Sequence, residues 1–267
     1  MLLYKFSYLC YILARVTLRI LVGKKKRNEF FLKKLISPSS FIMKEYIVIS
    51  KNNIKAAIRK NTMDYQTLFT KNEEFISEIK LNSDEVFVDV GANVGVYTLQ
   101  IALKYPNNKI IAIEAHPNEF NALKRNIIDV NNLENVILVN IGVFSKKDEL
   151  VLYEQGVWTA ASSIFLKSEK PIKIPCNTLD NILQKLKNEQ KMVIKMDIEG
   201  SEYDALLGAS KTLQNCEKIF IEIHQTDEVS KEENLDRVKE ILEQNNFELE
   251  IRKKGVGVRV IGTKIKK

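Results

Sequence analysis

A short charged segment holds the side chains best suited to proton-transfer chemistry. The residues Lys-Met-Asp-Ile-Glu-Gly-Ser-Glu, which begin at residue 195, place one base and three acids directly after an apolar run. That run predicts a buried strand, at whose end charges are costly to bury unless they are paired or used. Asp197 is the first candidate for a general base, and Glu199 is an alternative base or a substrate-binding group. Lys195 and Glu202 are predicted to bind substrate.

A histidine completes this set of candidates. The apolar pattern Ile-Phe-Ile-Glu-Ile predicts a strand that ends at His224, and a neutral imidazole can accept a proton at pH 7. His224 is therefore a catalytic candidate, with a structural role at the strand end as the alternative. A divalent metal held by Asp197, Glu199 and Glu202 is a further alternative. We predict no metal site, because two histidines and three scattered cysteines form no ligand cluster along the sequence.

A turn that contains two glycines forms the second group of candidates. Val86 to Val90 has the composition of a buried strand, and Gly91-Ala92-Asn93-Val94-Gly95 leads from it into an apolar-periodic helix. Glycines let the backbone approach a ligand closely, and the N–H groups at a helix start point toward it. Gly91, Asn93 and Gly95 are therefore predicted to bind a nucleotide-like cofactor. The spacing does not match the dinucleotide fingerprint G-x-G-x-x-G.

Two more strand patterns end in polar residues. Lys109 to Glu114 ends in an acid, and Val136 to Val139 is followed by Asn140. Ligands of open α/β sheets bind beyond the carboxyl ends of the strands, so Glu114 and Asn140 are predicted to bind the cofactor. The two oxygens of the Glu114 carboxylate suit the two hydroxyls of a ribose, while a solvated strand-end acid is the alternative.

Alternating strands and helices must position these residues. The order strand–helix–strand–helix–strand over residues 86–140 predicts a parallel sheet with right-handed crossovers. A segment at 141–176 interrupts the alternation, two more strands follow, and a hairpin over residues 247–261 closes the sheet. The predicted fold class is therefore α/β and Rossmann-like, with a mostly parallel sheet and a C-terminal antiparallel hairpin.

Some local predictions are more specific. Tyr46–Ile49 and Ile54–Arg59 predict a small hairpin, and the helical spacing over Asp64–Ile79 predicts one helix. Ser201 begins a stretch that resembles a capping box at the start of another helix. We expect the segment at 141–176 and the N-terminal hairpin to determine which acceptor is bound.

Together these motifs resemble the FkbM family of methyltransferases. The family's signatures occur in order: Asp-Val-Gly-Ala-Asn-Val-Gly from residue 89, Asn-Thr-Leu-Asp at 177–180, the charged segment from residue 195, and Ile-Glu-Ile-His at 221–224. The resemblance covers roughly residues 70–226. It implies a class I methyltransferase with a seven-stranded sheet, S-adenosylmethionine as methyl donor, and usually O-methylation of sugar or polyketide hydroxyls. Asp89 would then bind the amino end of the methionine portion or order the glycine turn.

The residues after Glu114 depart from this resemblance. Ala115, His116 and Pro117 follow it, where the family more often has proline directly after the acid. His116 would lie along the adenine or cap the next helix. We predict an O-methyltransferase that acts on a sugar hydroxyl in a glycan or glycolipid. The alternatives are methyl transfer to a non-sugar small molecule, or an enzyme that uses NAD or a nucleotide sugar.

The positive charge of the chain is concentrated near its beginning. The formal net charge is +7, but residues 1–34 contain nine bases and one acid, so the remainder is close to neutral. We therefore predict no nucleic-acid partner. Residues 1–22 are apolar with bases on one side of the helical wheel, and Lys-Lys-Lys-Arg follows, which suits peripheral contact with an anionic membrane. A helix packed on the protein itself is the alternative.

The sequence predicts three parts. Residues 1–40 form a basic, apolar helical extension, residues 41–80 a hairpin and a helix, and residues 81–267 the methyltransferase domain. The uncharged run Phe6–Ala14 is too short for a membrane span, which needs roughly 20 residues. Scattered cysteines favour a reducing compartment, and we predict a cytoplasmic protein that can contact the inner face of the membrane.

Overall fold

The computed structural model describes residues 46–51, 54–60, 62–70, 73–153, 171–186, 190–254 and 257–266. From Val48 onward they belong to one compact unit, Val48–Lys267. The predicted extension over residues 1–40, with its membrane-contacting stretch 1–34, lies outside the described residues. Within the described part of the chain, no helix has both the length and the apolar character that a membrane span requires.

The described elements alternate largely as the sequence predicts. The strands are β1 (Tyr46–Lys51), β2 (Ile54–Arg59), β3 (Val86–Val90), β4 (Ile110–Glu114), β5 (Val136–Asn140), β6 (Gly142–Val143), β7 (Asp148–Tyr153), β8 (Pro171–Asn177), β9 (Met192–Met196), β10 (Cys216–Ile223), β11 (Phe247–Lys254) and β12 (Gly257–Lys264). The helices are α1 (Asp64–Thr70), α2 (Glu73–Glu78), α3 (Val96–Lys104), α4 (Pro117–Lys124), α5 (Leu179–Lys185), α6 (Glu202–Leu207), α7 (Ser210–Gln214) and α8 (Lys231–Gln244). A π-helix over Arg125–Val130 follows α4 directly.

The central sheet contains seven strands in the order β11-β12-β10-β9-β3-β4-β5. The strands β10, β9, β3, β4 and β5 run parallel, whereas β12 pairs antiparallel with β10 and β11. The predicted fold class, a mostly parallel Rossmann-like sheet with a C-terminal antiparallel hairpin, is confirmed. The strand order reverses at β3, between β4 and β9, which is the point where open α/β sheets bind ligands.

The middle of this sheet is buried on both faces, which explains its apolar strands. Every residue of β3, β4 and β9 is buried, as expected for parallel strands covered on both sides. Within this buried region, Asp89 in β3 lies opposite Lys195 in β9 in the register of the strand pair. The sheet therefore places an acid beside a base just before the two strands end.

The segment after β5 forms a second sheet, with three strands in the order β6-β8-β7. β7 and β8 pair antiparallel from Asp148 opposite Cys176 to Tyr153 opposite Pro171. Both strands are close to those predicted. β6 was not predicted, because a strand of two residues is too short to show a periodic pattern. Because β6 follows β5 after a single residue, this sheet begins at the carboxyl end of the central sheet.

The helix predicted over Asp64–Ile79 is described as α1 and α2, and residues 71–72 between them lie outside the described residues. The predicted capping box is wrong. Ser201 precedes α6, but its side chain makes no capping hydrogen bond. The carboxylate at the third helical position, that of Asp204, hydrogen-bonds Ser145 instead, so no capping box forms.

Candidate active site

One cleft opens at the carboxyl ends of β3, β4 and β9, and it collects many of the predicted site residues. Its lining includes Gly91, Asn93, Glu114, Lys195, Asp197 and Glu199. Glu114 and Asp197, which the sequence places on separate strands, therefore share one hollow. The other predicted site residues lie outside the lining: Asp89, Gly95, Asn140, Glu202 and His224.

The glycine turn adopts backbone angles that few other residues tolerate. Gly91 has a φ of +78°, and a Cβ atom at this position would lie 1.9 Å from the carbonyl oxygen of Asp197. Any side chain would therefore push the turn away from the end of β9. Asn93 has a φ of 51°, and Gly95, with a φ of 98°, is the N-cap of α3. The start of α3 lies next to the cleft, because Val96 is part of its lining.

The Glu114 carboxylate is held by two backbone N–H groups. Asn93 N donates to Oε2 at 2.7 Å, and His116 N donates to Oε1 at 2.8 Å. Burial raises the pKa of Glu114 to about 7, although these two hydrogen bonds act in the opposite direction. Each carboxylate oxygen can accept a further hydrogen bond. An ionised Glu114 therefore suits a pair of neighbouring hydroxyl groups, such as those of a ribose.

Asn140 and His116 support the end of β4. Asn140 Nδ2 donates to the carbonyl oxygens of Glu114 at 2.8 Å and Ala115 at 3.1 Å. Direct contact between Asn140 and the cofactor stays a prediction. His116 Nδ1 accepts from Asn118 N at 3.2 Å and so caps α4, while the residue also lines the cleft. The helix cap is confirmed, and a contact between His116 and adenine stays a prediction.

Lys195 and Asp89 form a buried ion pair behind the glycine turn. Lys195 Nζ lies 3.1 Å from Asp89 Oδ1 and donates to the carbonyl oxygen of Gly91 at 2.7 Å. Asp89 Oδ2 accepts hydrogen bonds from N and Oγ1 of Thr98 at 3.1 and 2.6 Å. Burial alone would lower the pKa of Lys195, but the charges of Asp89 and Asp197 outweigh it and raise the pKa. These contacts serve to order the turn, which is one of the two roles expected of Asp89.

Three carboxylates surround His224, which follows β10. The Oε1 atom of Glu202 lies 2.9 Å from His224 Nδ1. On the other side of the ring, Nε2 lies 3.7 Å from Asp197 Oδ1 and 3.8 Å from Glu199 Oε2. The hydrogen bond at Nδ1 fixes the orientation of the ring, so Nε2 faces the two acids that line the cleft.

Glu202 is fully buried, and both of its carboxylate oxygens have partners within the protein. Besides His224, Oε1 accepts from Gly200 N at 3.1 Å, and Oε2 accepts from Asn234 Nδ2 at 3.1 Å. A substrate would have to displace these partners to reach the carboxylate. The placement therefore disagrees with the predicted substrate contact, and we regard Glu202 as a residue that positions His224.

The environment of His224 favours its protonated form. Burial alone would lower the pKa of His224, but the hydrogen bond to Glu202 and the surrounding negative charges outweigh it and raise the pKa to about 10. The imidazole is therefore protonated at neutral pH and has no nitrogen lone pair with which to accept a proton. A role for His224 as a neutral base requires the ring to lose this proton, and that role stays a prediction. A protonated His224 instead balances the charge of Asp197 and Glu199.

Glu199 is the second acid that faces the cleft. It has a φ of 53°, in the left-handed region, and burial raises the pKa of its carboxyl group to about 7. A carboxyl group that titrates near neutral pH can donate or accept a hydrogen bond, depending on its protonation. Asp197 and Glu199 together therefore offer the cleft two groups that can handle the proton of a hydroxyl.

Several residues of the site were not expected from the sequence. Thr67 of α1 lines the cleft, and the small sheet adds an apolar wall made of Leu150, Leu152 and Ile174. No motif marks these residues, since only the fold brings them to the strand ends. Asn234, which donates to the Glu202 carboxylate, was marked in the sequence only as a polar residue directly before the buried Leu235 of α8.

Comparisons with known proteins agree with this architecture. The Methyltransferase FkbM domain family matches residues 89–249, which include every predicted site residue. The solved structure of methyltransferase FkbM from Methylobacillus flagellatus KT has a TM-score of 0.51 and 19% sequence identity, and the match covers 74% of this chain and 47% of that one. This likeness supports the fold.

Two curated relatives are similar over part of their length. Methyltransferase 1 from Beauveria bassiana (strain ARSEF 2860) is 25% identical over 146 residues, which cover 47% of this chain and 58% of that protein. Hexuronic acid methyltransferase AglP from Haloferax volcanii is 26% identical over 141 residues, which cover 53% of this chain and 56% of that protein. The chain thus spans a little more than half the length of these relatives.

Proposed function

Because this chain belongs to the FkbM methyltransferase family, we propose that it methylates a hydroxyl group of a sugar in a glycan or glycolipid. It is a methyltransferase that depends on S-adenosylmethionine. The name of the relative AglP specifies hexuronic acid, and this supports a sugar acceptor. Two carboxyl groups at the strand end also suit an acceptor rich in hydroxyl groups.

The donor side of the cleft fits S-adenosylmethionine. When bound, this cofactor supplies a methyl group on a positively charged sulfur. We assign Glu114 to the two ribose hydroxyls, because each of its oxygens has one backbone donor and can accept another hydrogen bond. Gly91 and Asn93 allow the backbone to approach the ligand, and Gly95 allows α3 to start beside it. His116 is assigned to the adenine side.

The acceptor side lies at the end of β9. We assign Asp197 as the general base, which takes the proton of the acceptor hydroxyl and makes its oxygen a better nucleophile. Glu199 hydrogen-bonds the acceptor and holds it in place. The protonated His224 stabilises both acids at this site, and Glu202 keeps its ring in position. Most of the rate enhancement then comes from orientation of the two reactants.

The shared cleft is the main support for this proposal. Glu114 and Asp197 line the same hollow, so a donor held at one and an acceptor activated at the other lie next to each other. The apolar wall from the small sheet extends this hollow. Methyl transfer to a non-sugar small molecule is the alternative outcome of the test.

A methyl-transfer screen with the full chain tests the proposal. S-adenosylmethionine with a labelled methyl group is offered with uronic-acid oligosaccharides, neutral oligosaccharides, glycolipids, phenolic small molecules and ribosomal RNA. We expect the label on an oxygen of a sugar, identified by mass spectrometry after hydrolysis, and no label with Asp197→Asn. Label on RNA, on nitrogen, or only on a non-sugar acceptor would contradict the proposal. The RNA sample also tests the predicted absence of a nucleic-acid partner.

We extend the proposal to the location of the enzyme. Residues 1–34, with nine bases and one acid among many apolar residues, are proposed to hold the protein at the anionic inner face of the membrane. Sedimentation with phosphatidylglycerol vesicles is expected for the full chain and lost when residues 1–34 are deleted. Phosphatidylcholine vesicles serve as the control. Equal sedimentation of the full chain and the deletion variant would refute membrane contact.

A further inference from the structure

One arginine ties β2 and α1 to the first turn of α4. Arg59 contacts Asp64 through Nε–Oδ2 and Nη2–Oδ1, at 2.9 and 2.8 Å. The same guanidinium contacts Glu119 through Nη1–Oε1 at 3.2 Å and Nη2–Oε2 at 2.5 Å. Asp64 and Glu119 are both buried. These three residues, which we call the Arg59 bridge, join three elements through one cation.

A second link connects β2 to the glycine turn. The side chain of Asn126, in the π-helix that follows α4, is fully buried. Its Oδ1 accepts from Ala57 N of β2 at 2.7 Å, and its Nδ2 donates to the carbonyl oxygen of Val94 at 2.8 Å. Asn126 therefore joins β2 to the turn that is proposed to bind the cofactor.

The element held by the Arg59 bridge reaches the cleft itself. Thr67 of α1 lines the cleft together with His116 and Glu119, which follow the end of β4. In the sheet, β3 separates β4 from β9, which is followed by Asp197 and Glu199. The Arg59 bridge thus attaches on the side of Glu114 and away from the proposed acceptor acids.

We propose that α1 forms a wall of the donor site, held in place against β2 by the Arg59 bridge, and that this wall sets the affinity for S-adenosylmethionine. This inference rests on the donor site proposed around Glu114. It differs from the sequence-based expectation that the N-terminal hairpin determines the acceptor.

The charges of the Arg59 bridge explain how the wall is kept in place. Without Arg59, the buried carboxylates of Asp64 and Glu119 lose their shared cation, and their repulsion drives α1 away from α4. Thr67 moves with α1. S-adenosylmethionine binds only to the molecules in which this wall is in place. The apparent Kd is therefore the intrinsic Kd divided by the fraction of such molecules. A wall present a tenth of the time gives about a tenfold rise.

Calorimetric titration of the full chain with S-adenosylmethionine, without acceptor, tests this inference. We expect Arg59→Met to raise the Kd about tenfold, whereas the acceptor KM at saturating donor stays unchanged. Arg252→Met is the matched control, because Arg252 also joins two acids, Glu78 and Glu250, each at 2.6 Å. Arg252 lies in β11, at the far edge of the sheet. The Kd of the Arg252→Met variant for S-adenosylmethionine is expected to equal that of the wild type.

A second variant keeps the test decisive if Arg59→Met does not fold. Thr67→Trp leaves the Arg59 bridge intact, places bulk in the cleft, and is expected to weaken donor binding about tenfold, with unchanged thermal unfolding. Wild-type donor affinity in both variants, or a change confined to the acceptor KM, would overturn the inference. A wild-type chain that binds no S-adenosylmethionine would refute the proposed donor site as well, so the two failures are distinguishable.

Discussion

The proposed donor and acceptor sides of the cleft hold their carboxylates in different ways. On the donor side, Glu114 is held by the backbone N–H groups of Asn93 and His116. On the acceptor side, Asp197 and Glu199 face the imidazole of His224, whose other nitrogen contacts a buried carboxylate. Backbone geometry therefore defines one side, whereas a balance of side-chain charges defines the other.

The two sides should therefore tolerate different substitutions. A site made of backbone N–H groups depends on turn conformation. Donor affinity should therefore depend on the glycine turn and on Glu114, which accepts from Asn93 N in that turn and from His116 N after β4. A site made of opposing charges depends on protonation and on each partner being present. Variants can therefore affect catalysis and donor binding separately, and the following experiments test that separation.

The largest effect is expected from Asp197→Asn. An amide is a poor proton acceptor, so kcat should fall about 10²–10⁴-fold, the range typical of general base catalysis. The Kd for S-adenosylmethionine should not change, because Glu114 and the glycine turn are intact. Steady-state assays and calorimetry on the same preparation measure both quantities. A variant with nearly full kcat would assign the base to another residue, and Glu199→Gln is the next variant to test.

The link between the two sides is the Lys195–Asp89 pair, and breaking it should lower stability. Lys195→Met leaves the fully buried Asp89 without its cation, and such losses typically reduce the free energy of unfolding by about 3–5 kcal/mol. Urea unfolding measures this change. The double variant Asp89→Asn/Lys195→Met removes both charges and should recover much of the loss. Equal destabilisation in the single and double variants would argue against the ion pair as the cause.

The pKa of Glu114 makes donor affinity depend on pH. Burial raises this pKa to about 7, and only the ionised carboxylate accepts hydrogen bonds on both oxygens. Affinity is therefore present above about pH 7 and lost as the pH falls through that value. For a single group of this pKa, lowering the pH from about 8 to about 6 should raise the Kd about tenfold. Glu114→Gln, the control, should bind weakly and show no such dependence.

The smallest effect is expected from chelation. Asp197, Glu199 and His224 offer ligand atoms within 4.8 Å of one another, but the proton that the neighbouring carboxylates favour on His224 competes with a metal for the same nitrogen. Treatment with EDTA should therefore leave kcat unchanged. Loss of activity that Mg²⁺ or Mn²⁺ restores would show that the acceptor side works through a metal, with a neutral His224.

The donor side could be largely predicted from the sequence because its geometry is local. Gly91, Asn93 and Gly95 lie in one turn, and strand–turn–helix spacing alone indicates their conformations. Glu114 could be found because it ends the neighbouring strand of a parallel sheet. The mostly parallel sheet likewise followed from the alternation of strands and helices along the chain.

The acceptor side could be predicted only as a set of residues. The segment from residue 195 revealed Asp197 and Glu199, but the protonation of His224 depends on acids from two other elements that meet it in the fold. Residue type does not reveal such an environment. No sequence pattern indicates the Arg59 bridge, because Arg59 and Glu119 are 60 positions apart in the sequence.

In the proposed mechanism, Glu114 holds the donor while Asp197 activates the acceptor within one cleft. The most direct test compares Glu114→Gln with Asp197→Asn in donor calorimetry and in single-turnover rate at saturating S-adenosylmethionine. We expect Glu114→Gln to raise the Kd at least about tenfold, the effect of losing a hydrogen bond to a charged group, with little change in rate. Asp197→Asn should show the reverse pattern. Equal losses of donor binding in both variants, or an unchanged Kd in Glu114→Gln, would contradict this mechanism.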